Sequence, residues 1–146
     1  MTTISTPRRI GTVVRYRLRA GFTVDRGLSW PPLVLDADSG LELDGESLRV
    51  RVGHWRVTIC LSNVAGAEVT AGCLPSDRGV TAFPEGHGLI VRTTTGPGVR
   101  IRCREPVPGA GPFDGLWHSM VTVTVGEPAL VADLLTRIAG THREVA

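Results

Sequence analysis

The sequence predicts a mainly β domain, an antiparallel β-barrel or bent sandwich capped by one C-terminal amphipathic helix. Three observations carry this expectation. Apolar and polar residues alternate at a period of two through most of the chain, the pattern of half-buried strands. The 18 Gly and 10 Pro fall mostly between those stretches, which favours many turns over a helical bundle. From His118 to Gly140 (HSMVTVTVGEPALVADLLTRIAG) the alternation then gives way to a helical period within a few residues. Short strands need a partner layer to bury their inner face, and this closing strand with its helix supplies one.

In chain order, residues 1–8 read as a loose tail, 9–140 as a single domain and 141–146 as a second short tail. Val14, Tyr16 and Leu18 alternate with Arg15, Arg17 and Arg19, giving a strand with a basic outer face. Ala20 to Pro32 reads as a loop, because Pro31 and Pro32 lack the N–H that a central ladder needs. Leu33 to Val52 reads as two or three strands with turns at Asp38-Ser39-Gly40 and Asp44-Gly45. The Asp-Gly pair is a hairpin signal, since both central residues tolerate positive φ.

Leu48, Val50 and Val52 oppose Arg49 and Arg51, and the next strand sets Trp55, Val57, Ile59 and Leu61 against Arg56, Thr58 and Cys60. Asn63 to Thr70 and Val80 to Phe83 read as shorter strands. A hairpin is expected over GLIVRTTT and VRIRCRE, turning at Gly96 and Pro97, with Val99, Ile101 and Cys103 inward. Arg100, Arg102 and Arg104 then face outward, with Arg92 nearby. Glu105 to Leu116 reads as a Pro/Gly loop, and Trp117 leads into the closing strand, whose Val121, Val123 and Val125 face inward.

The helix carries its own punctuation. Pro128 suits the first helical position, Glu127 the positive N-terminal end, Arg137 the last turn and Gly140 a left-handed stop. Leu130, Val131, Leu134, Leu135 and Ile138 form its apolar face at spacings of three and four.

Composition narrows the classes of function. All 16 basic residues are Arg, with no Lys and no Gln in the chain, a bias associated with GC-rich bacterial genomes. Without Lys there is no P-loop lysine, no Schiff-base lysine and no lysine general base. Cys60, Cys73 and Cys103 are odd in number and lack a C-x-x-C pair, so neither a disulfide framework nor a zinc ribbon is suggested. No apolar run approaches the ~18 residues of a membrane span, and the N-terminus shows no signal-like stretch, so a cytoplasmic address is expected. Net charge is +2, yet Asp36, Asp38, Glu42, Asp44 and Glu46 concentrate five of the 14 acids in one corner. The remainder of the chain is basic.

Seven or so antiparallel strands ending in VTVTVGEPALVADLL resemble the pleckstrin-homology-like (PH-like) barrel, in particular small PH-like proteins of actinobacteria. The resemblance covers most of the chain from about Arg9 and rests on element order and that ending. It implies a helix that plugs one open end of a bent barrel, a role that falls here to Leu130, Leu134 and Ile138. Phosphoinositide-binding members carry a lysine-rich loop between the first two strands and a Trp on the final helix. This chain has neither, and lipid-headgroup binding is not implied.

Candidate chemistry centres on the arginine-bearing strand faces. Arg49, Arg51, Arg92, Arg100, Arg102 and Arg104 are the expected anion-binding or partner-binding set, because guanidinium forks onto carboxylate and phosphate. The same pattern also describes a plain solvated sheet face. Few aromatics interleave with these residues, so a single-stranded nucleic-acid platform gains no support. Trp117, His118, His54 and Trp55 could line a common pocket, although a packed Trp beside a solvent-facing His is the simpler expectation for each dipeptide. Asp36-Ala37-Asp38-Ser39-Gly40 lacks the remaining ligands of a calcium loop. Cys60, outward beside Arg56, has no evident base, and no G-x-S-x-G elbow or metal spacing of the histidines occurs.

The reading that follows is a non-enzymatic binding or assembly module, with no catalytic residue, metal or cofactor assigned. Its expected partner is a protein, a peptide or another copy of the chain, with no specific nucleic acid and no transmembrane segment. One alternative is a small ligand-binding barrel or enzyme with a pocket near residues 105–117. Another is a peripheral binder of anionic lipid or phosphate.

Overall fold

A computed structural model describes residues 2–10, 13–21, 40–52, 55–74, 79–83, 88–92, 94–110 and 117–145. The strands are β1 (Thr2–Ile10), β2 (Val13–Gly21), β3 (Gly40–Asp44), β4 (Ser47–Val52), β5 (Trp55–Cys60), β6 (Val64–Val69), β7 (Gly79–Phe83), β8 (Gly88–Arg92), β9 (Val99–Ala110) and β10 (Trp117–Val123). A 3-10 turn, Leu61–Asn63, joins β5 to β6, and α1 (Pro128–Val145) closes the chain. The strands form one sheet in the order β1-β2-β3-β4-β5-β9-β10-β8-β7, with β6 also paired to β9, curled into a half-barrel. The expected class, mainly β with a capping C-terminal helix, is the one observed.

The core follows from the period-two pattern. Leu41, Leu43, Leu48, Val50, Val57, Ile59, Val64, Val99, Ile101, Val121 and Val123 are all buried on the inner face, while Arg49, Arg56, Thr58 and Cys60 are exposed opposite them. The helix adds Val131, Ala132, Leu135, Ile138 and Ala139, spaced for one stripe at 3.6 residues per turn. Full burial of Val131, Leu135 and Ile138 contributes roughly 1.5–3 kcal/mol each. Leu130 and Leu134 sit at the margins of this stripe: Leu130 is 45% exposed and Leu134 only partly buried. The expected plug of Leu130, Leu134 and Ile138 is therefore replaced by a face centred on Val131, Leu135 and Ile138.

α1 packs against β6, β9 and the 3-10 turn. Its Thr136 hydroxyl lies 2.8 Å from the Ala132 carbonyl oxygen and 3.0 Å from that of Ala67 on β6. The hydroxyl has one proton for these two acceptors, and its closeness to the Ala67 carbonyl sets the helix side chain over the edge of β6, one way a fold covers a strand edge. Arg104 Nη2 donates to the Ala139 carbonyl at 3.2 Å, tying β9 to the helix from the other side.

Several local expectations are corrected. Thr2–Ile10 form β1, antiparallel to β2, where a tail was expected. At the other end the helix runs on to Val145, so Gly140 is a helix-interior residue and not a left-handed stop; among the described glycines only Gly40 and Gly45 have positive φ. The β3–β4 hairpin exists, but Asp44 pairs with Ser47 and the two turn residues are Gly45 and Glu46. Only Gly45, at φ 63°, takes the left-handed conformation there, in keeping with Gly at the first central position of a primed turn.

The expected hairpin of residues 88–105 does not form. β8 pairs with β7 and, in parallel, with β10, which lies between β8 and β9. The sheet is thus not wholly antiparallel. The closing strand enters the middle of the sheet, and residues 94–98 cross over it by another route, bonded to the stretch after β6: Thr70 N–H donates to Gly98 O at 2.9 Å and Cys73 N–H to Thr95 O at 3.0 Å.

The expected loop at Glu105 is the other correction, since β9 continues through Ala110. Its first half pairs with β6 and β10, and its last residues pair with β10 and β5. Between Arg102 and Val107 the register against β10 slips, so that Ser119 faces the four residues Cys103 to Pro106. Prolines are tolerated at such an interrupted ladder. Asn63 bridges the gap: its side-chain amide accepts from Glu105 N–H at 2.8 Å and donates to Glu105 O at 3.0 Å.

Candidate functional site

The register sorts the arginines into those engaged within the fold and those that are not. On β9, Arg100 Nη1 lies 3.6 Å and Arg102 Nε 4.0 Å from the same Glu68 carboxylate oxygen, because Glu68 on β6 opposes Arg100 directly. Arg102 also lies over Gly66, where a Cβ would come within 2.9 Å of its guanidinium. Arg104 is committed to the Ala139 carbonyl. Arg92, half-exposed on β8, pairs in register with Gly79 and is separated from the β9 arginines by β10. The six expected arginines therefore do not form one site.

Arg49 and Arg51 are placed differently. They alternate with buried Leu48 and Val50 on β4, so they share the outer face. Arg49 stands between Glu42 of β3 and Thr58 of β5, whereas Arg51 stands between Gly40 and Arg56. Arg51 and Arg56 are thus like charges directly opposed across an antiparallel ladder, an arrangement that destabilises a sheet by roughly 0.2–1 kcal/mol. Among the described residues, none of Arg49, Arg51 and Arg56 forms an ion pair. Arg56 was legible as an outward residue, but only the register groups it with Arg49 and Arg51.

Beyond Arg56 the same outer face continues across β9 to β10. Arg56 pairs with Ala110 and Val57 with Gly109; the next β9 residue, exposed Pro108, pairs with Trp117. Trp117 is 52% exposed, and Met120, 36% exposed, opposes exposed Arg102 two rows further on. The result is a basic corner of three guanidinium groups grading into an apolar ledge of Trp117, Pro108, Pro106 and Met120.

His118 takes the opposite direction from the one expected. It pairs with buried Val107 and is 1% exposed, with both ring nitrogens sealed from solvent. The simpler expectation of a packed Trp117 and a solvent-facing His118 is thereby reversed. The slip at Ser119 is the reason, since it shifts the phase of the alternation so that His118 joins Val121 and Val123 on the inner face. Trp117 and His118 point to opposite sides of the sheet. Trp55 opens β5 in register with Val52, while the Trp55 side chain and His54 lie outside the described residues.

Among the described residues no thiol is shown beside a base. Burial pushes the Cys103 thiol up to about 11, so it is protonated at neutral pH. Cys73 donates to the Thr94 carbonyl at 3.6 Å, and Cys60 is exposed opposite Ser47. Among the described residues no group of three or more His, Cys, Asp or Glu is arranged to hold a metal ion, and no helix is long and apolar enough to cross a membrane. Asp36 and Asp38 lie outside the described residues. No family model, curated protein or solved structure matches this chain.

Proposed function

We propose that the chain is a non-enzymatic binding module, built like PH-like barrels with its strands first and its capping helix last, and that its outer β4–β5 face engages an acidic segment of a partner protein. One observation carries this reading: Arg51 and Arg56 oppose each other directly, with Arg49 beside them opposite Glu42, and among the described residues none of the three arginines forms an ion pair. A fold that retains a repulsive pair on its surface gives up stability there, and such local inconsistency is typical of binding surfaces. Carboxylates from a partner relieve the repulsion, and arginine receives them in bidentate geometry.

The test is titration of a fluorescent oligoglutamate peptide at low salt. Saturable binding is expected, weakened at least tenfold in the Arg51→Ser/Arg56→Ser double variant. Removal of either arginine alone should also leave the protein as stable or slightly more stable. Equal binding by the double variant, or none by the wild type, refutes the reading. Vesicles containing anionic lipid and free inorganic phosphate serve as competitors, and displacement by either at lower concentration than the peptide reassigns the site to a phosphate ligand.

A further inference from the structure

Resting on that reading, we infer that the occupant is an extended acidic segment carrying an apolar residue that seats on the ledge of Trp117 and Pro108. The two parts of the face are contiguous. Arg56, Ala110, Pro108 and Trp117 follow one another through strand register and chain order, across β5, β9 and β10. Two strand spacings of about 4.8 Å and a two-residue step of about 7 Å separate Arg56 from Trp117, roughly 12 Å in all. An extended chain covers ~3.3–3.6 Å per residue. A carboxylate on Arg51 and Arg56 therefore places the residue three or four positions along the segment over Trp117.

The chemistry of the ledge fixes the second contact. A half-exposed Trp on a strand flanked by exposed proline has a large rigid apolar surface, the kind of residue that dominates binding hot spots. Charge decides among the occupants that such a surface would accept. With Arg49, Arg51 and Arg56 at one end, a basic segment meets repulsion and a neutral apolar one leaves these guanidinium groups unanswered. An acidic one is complementary to that corner, and its apolar residue to the ledge.

Two peptides separate this inference from the reading beneath it. The first carries two glutamates followed, after three glycines, by a leucine; the second replaces the leucine with serine. The leucine peptide should bind the wild type at least tenfold more tightly. Trp117→Ala should erase that advantage while leaving binding of the serine peptide unchanged, and Trp117→Phe, which keeps an aromatic face and guards against misfolding, should retain most of it. The double arginine variant should weaken both peptides. Equal affinity of the two peptides for the wild type overturns the ledge while sparing the arginine site, whereas binding of neither overturns both. Sedimentation velocity of the wild type and Trp117→Ala completes the test: a dimer lost in the variant would make the occupant a second copy and overturn the assignment to an acidic partner segment.

Discussion

Gly140→Ala has opposite signs for a helix that stops at Gly140 and for one that continues through it. If Gly140 ended the helix in the left-handed conformation, a Cβ there would destabilise the fold by about 1–2 kcal/mol. In the structure Gly140 lies inside α1, is exposed, lacks positive φ, and has no neighbouring atom within 4 Å of where a Cβ would sit. Alanine should then stabilise the protein by about 0.5–1 kcal/mol, through lower unfolded-state entropy and better helix propensity. For a chain of this size that is a rise in Tm of roughly 1–4 °C. Urea unfolding followed by far-UV circular dichroism measures the change, with an unaltered m-value as the check that the unfolding unit is the same. Amide exchange gives a second readout, because the i to i−4 pattern bonds the amides of Arg143 and Glu144 to the carbonyls of Ala139 and Gly140. A lowered midpoint, or unprotected amides at Arg143 and Glu144, refutes the continuous helix and with it the seating of Arg104 on the Ala139 carbonyl.

Gly98→Ala should be strongly destabilising, by about 1–3 kcal/mol or more, since its Cβ would lie 2.5 Å from the Val123 carbonyl oxygen where β9 begins; a neutral thermal midpoint would contradict this close approach of the two backbones. Asn63→Ala removes both bonds to the Glu105 backbone and should lower stability by about 1–2 kcal/mol, with faster exchange of the Glu105 amide as the local readout. For Cys103 the folded state favours the neutral thiol, whose value rises from 9.0 to about 11. The folded state holds that proton where the unfolded chain has lost it, so the contribution is complete below pH 9 and is lost as pH rises from 9 through 11. Because the thiol is only partly buried, solvent screening reduces the loss to about 1–2 kcal/mol, and Cys103→Ala should flatten that part of the pH–stability curve. Thiol titration at pH ~8, below the ordinary cysteine value, should find exposed Cys60 reacting well ahead of Cys103.

Much of the strand content was legible because β5, β9 and β10 each bury one face: Val57, Ile59, Val99, Ile101, Val121 and Val123 alternate with polar residues, and burial on one side imposes that period. What periodicity cannot report is which strands pair. GLIVRTTT and VRIRCRE read as a hairpin on a Gly-Pro turn, yet β10, distant in sequence, inserts between them. Composition misled in a related way at Glu105 to Ala110, where prolines suggest a loop but occupy a strand that changes partners. That slip also inverted Trp117 and His118. An alternation read backwards from Val121 holds only while the ladder is regular, and Ser119 facing four residues breaks it.

The same limit governs the candidate site. Outward arginines were visible as a class, but a class is not a site until register decides what each one faces. Glu68 neutralises part of the β9 row, and the helix carbonyl takes Arg104, so the row that looked strongest in the sequence is largely engaged in holding β6, β9 and α1 together. The pair left in direct opposition, Arg51 and Arg56, lies on two successive strands that the sequence reading placed outward without assigning the register that sets one against the other. Its position beside a ledge made of Trp117 and Pro108 has the same origin, since the switch of β9 from one part of the sheet to the other is what brings β5 and β10 onto a single face. The irregular strand that obscured the fold in the sequence is thus the element that assembles the proposed binding surface.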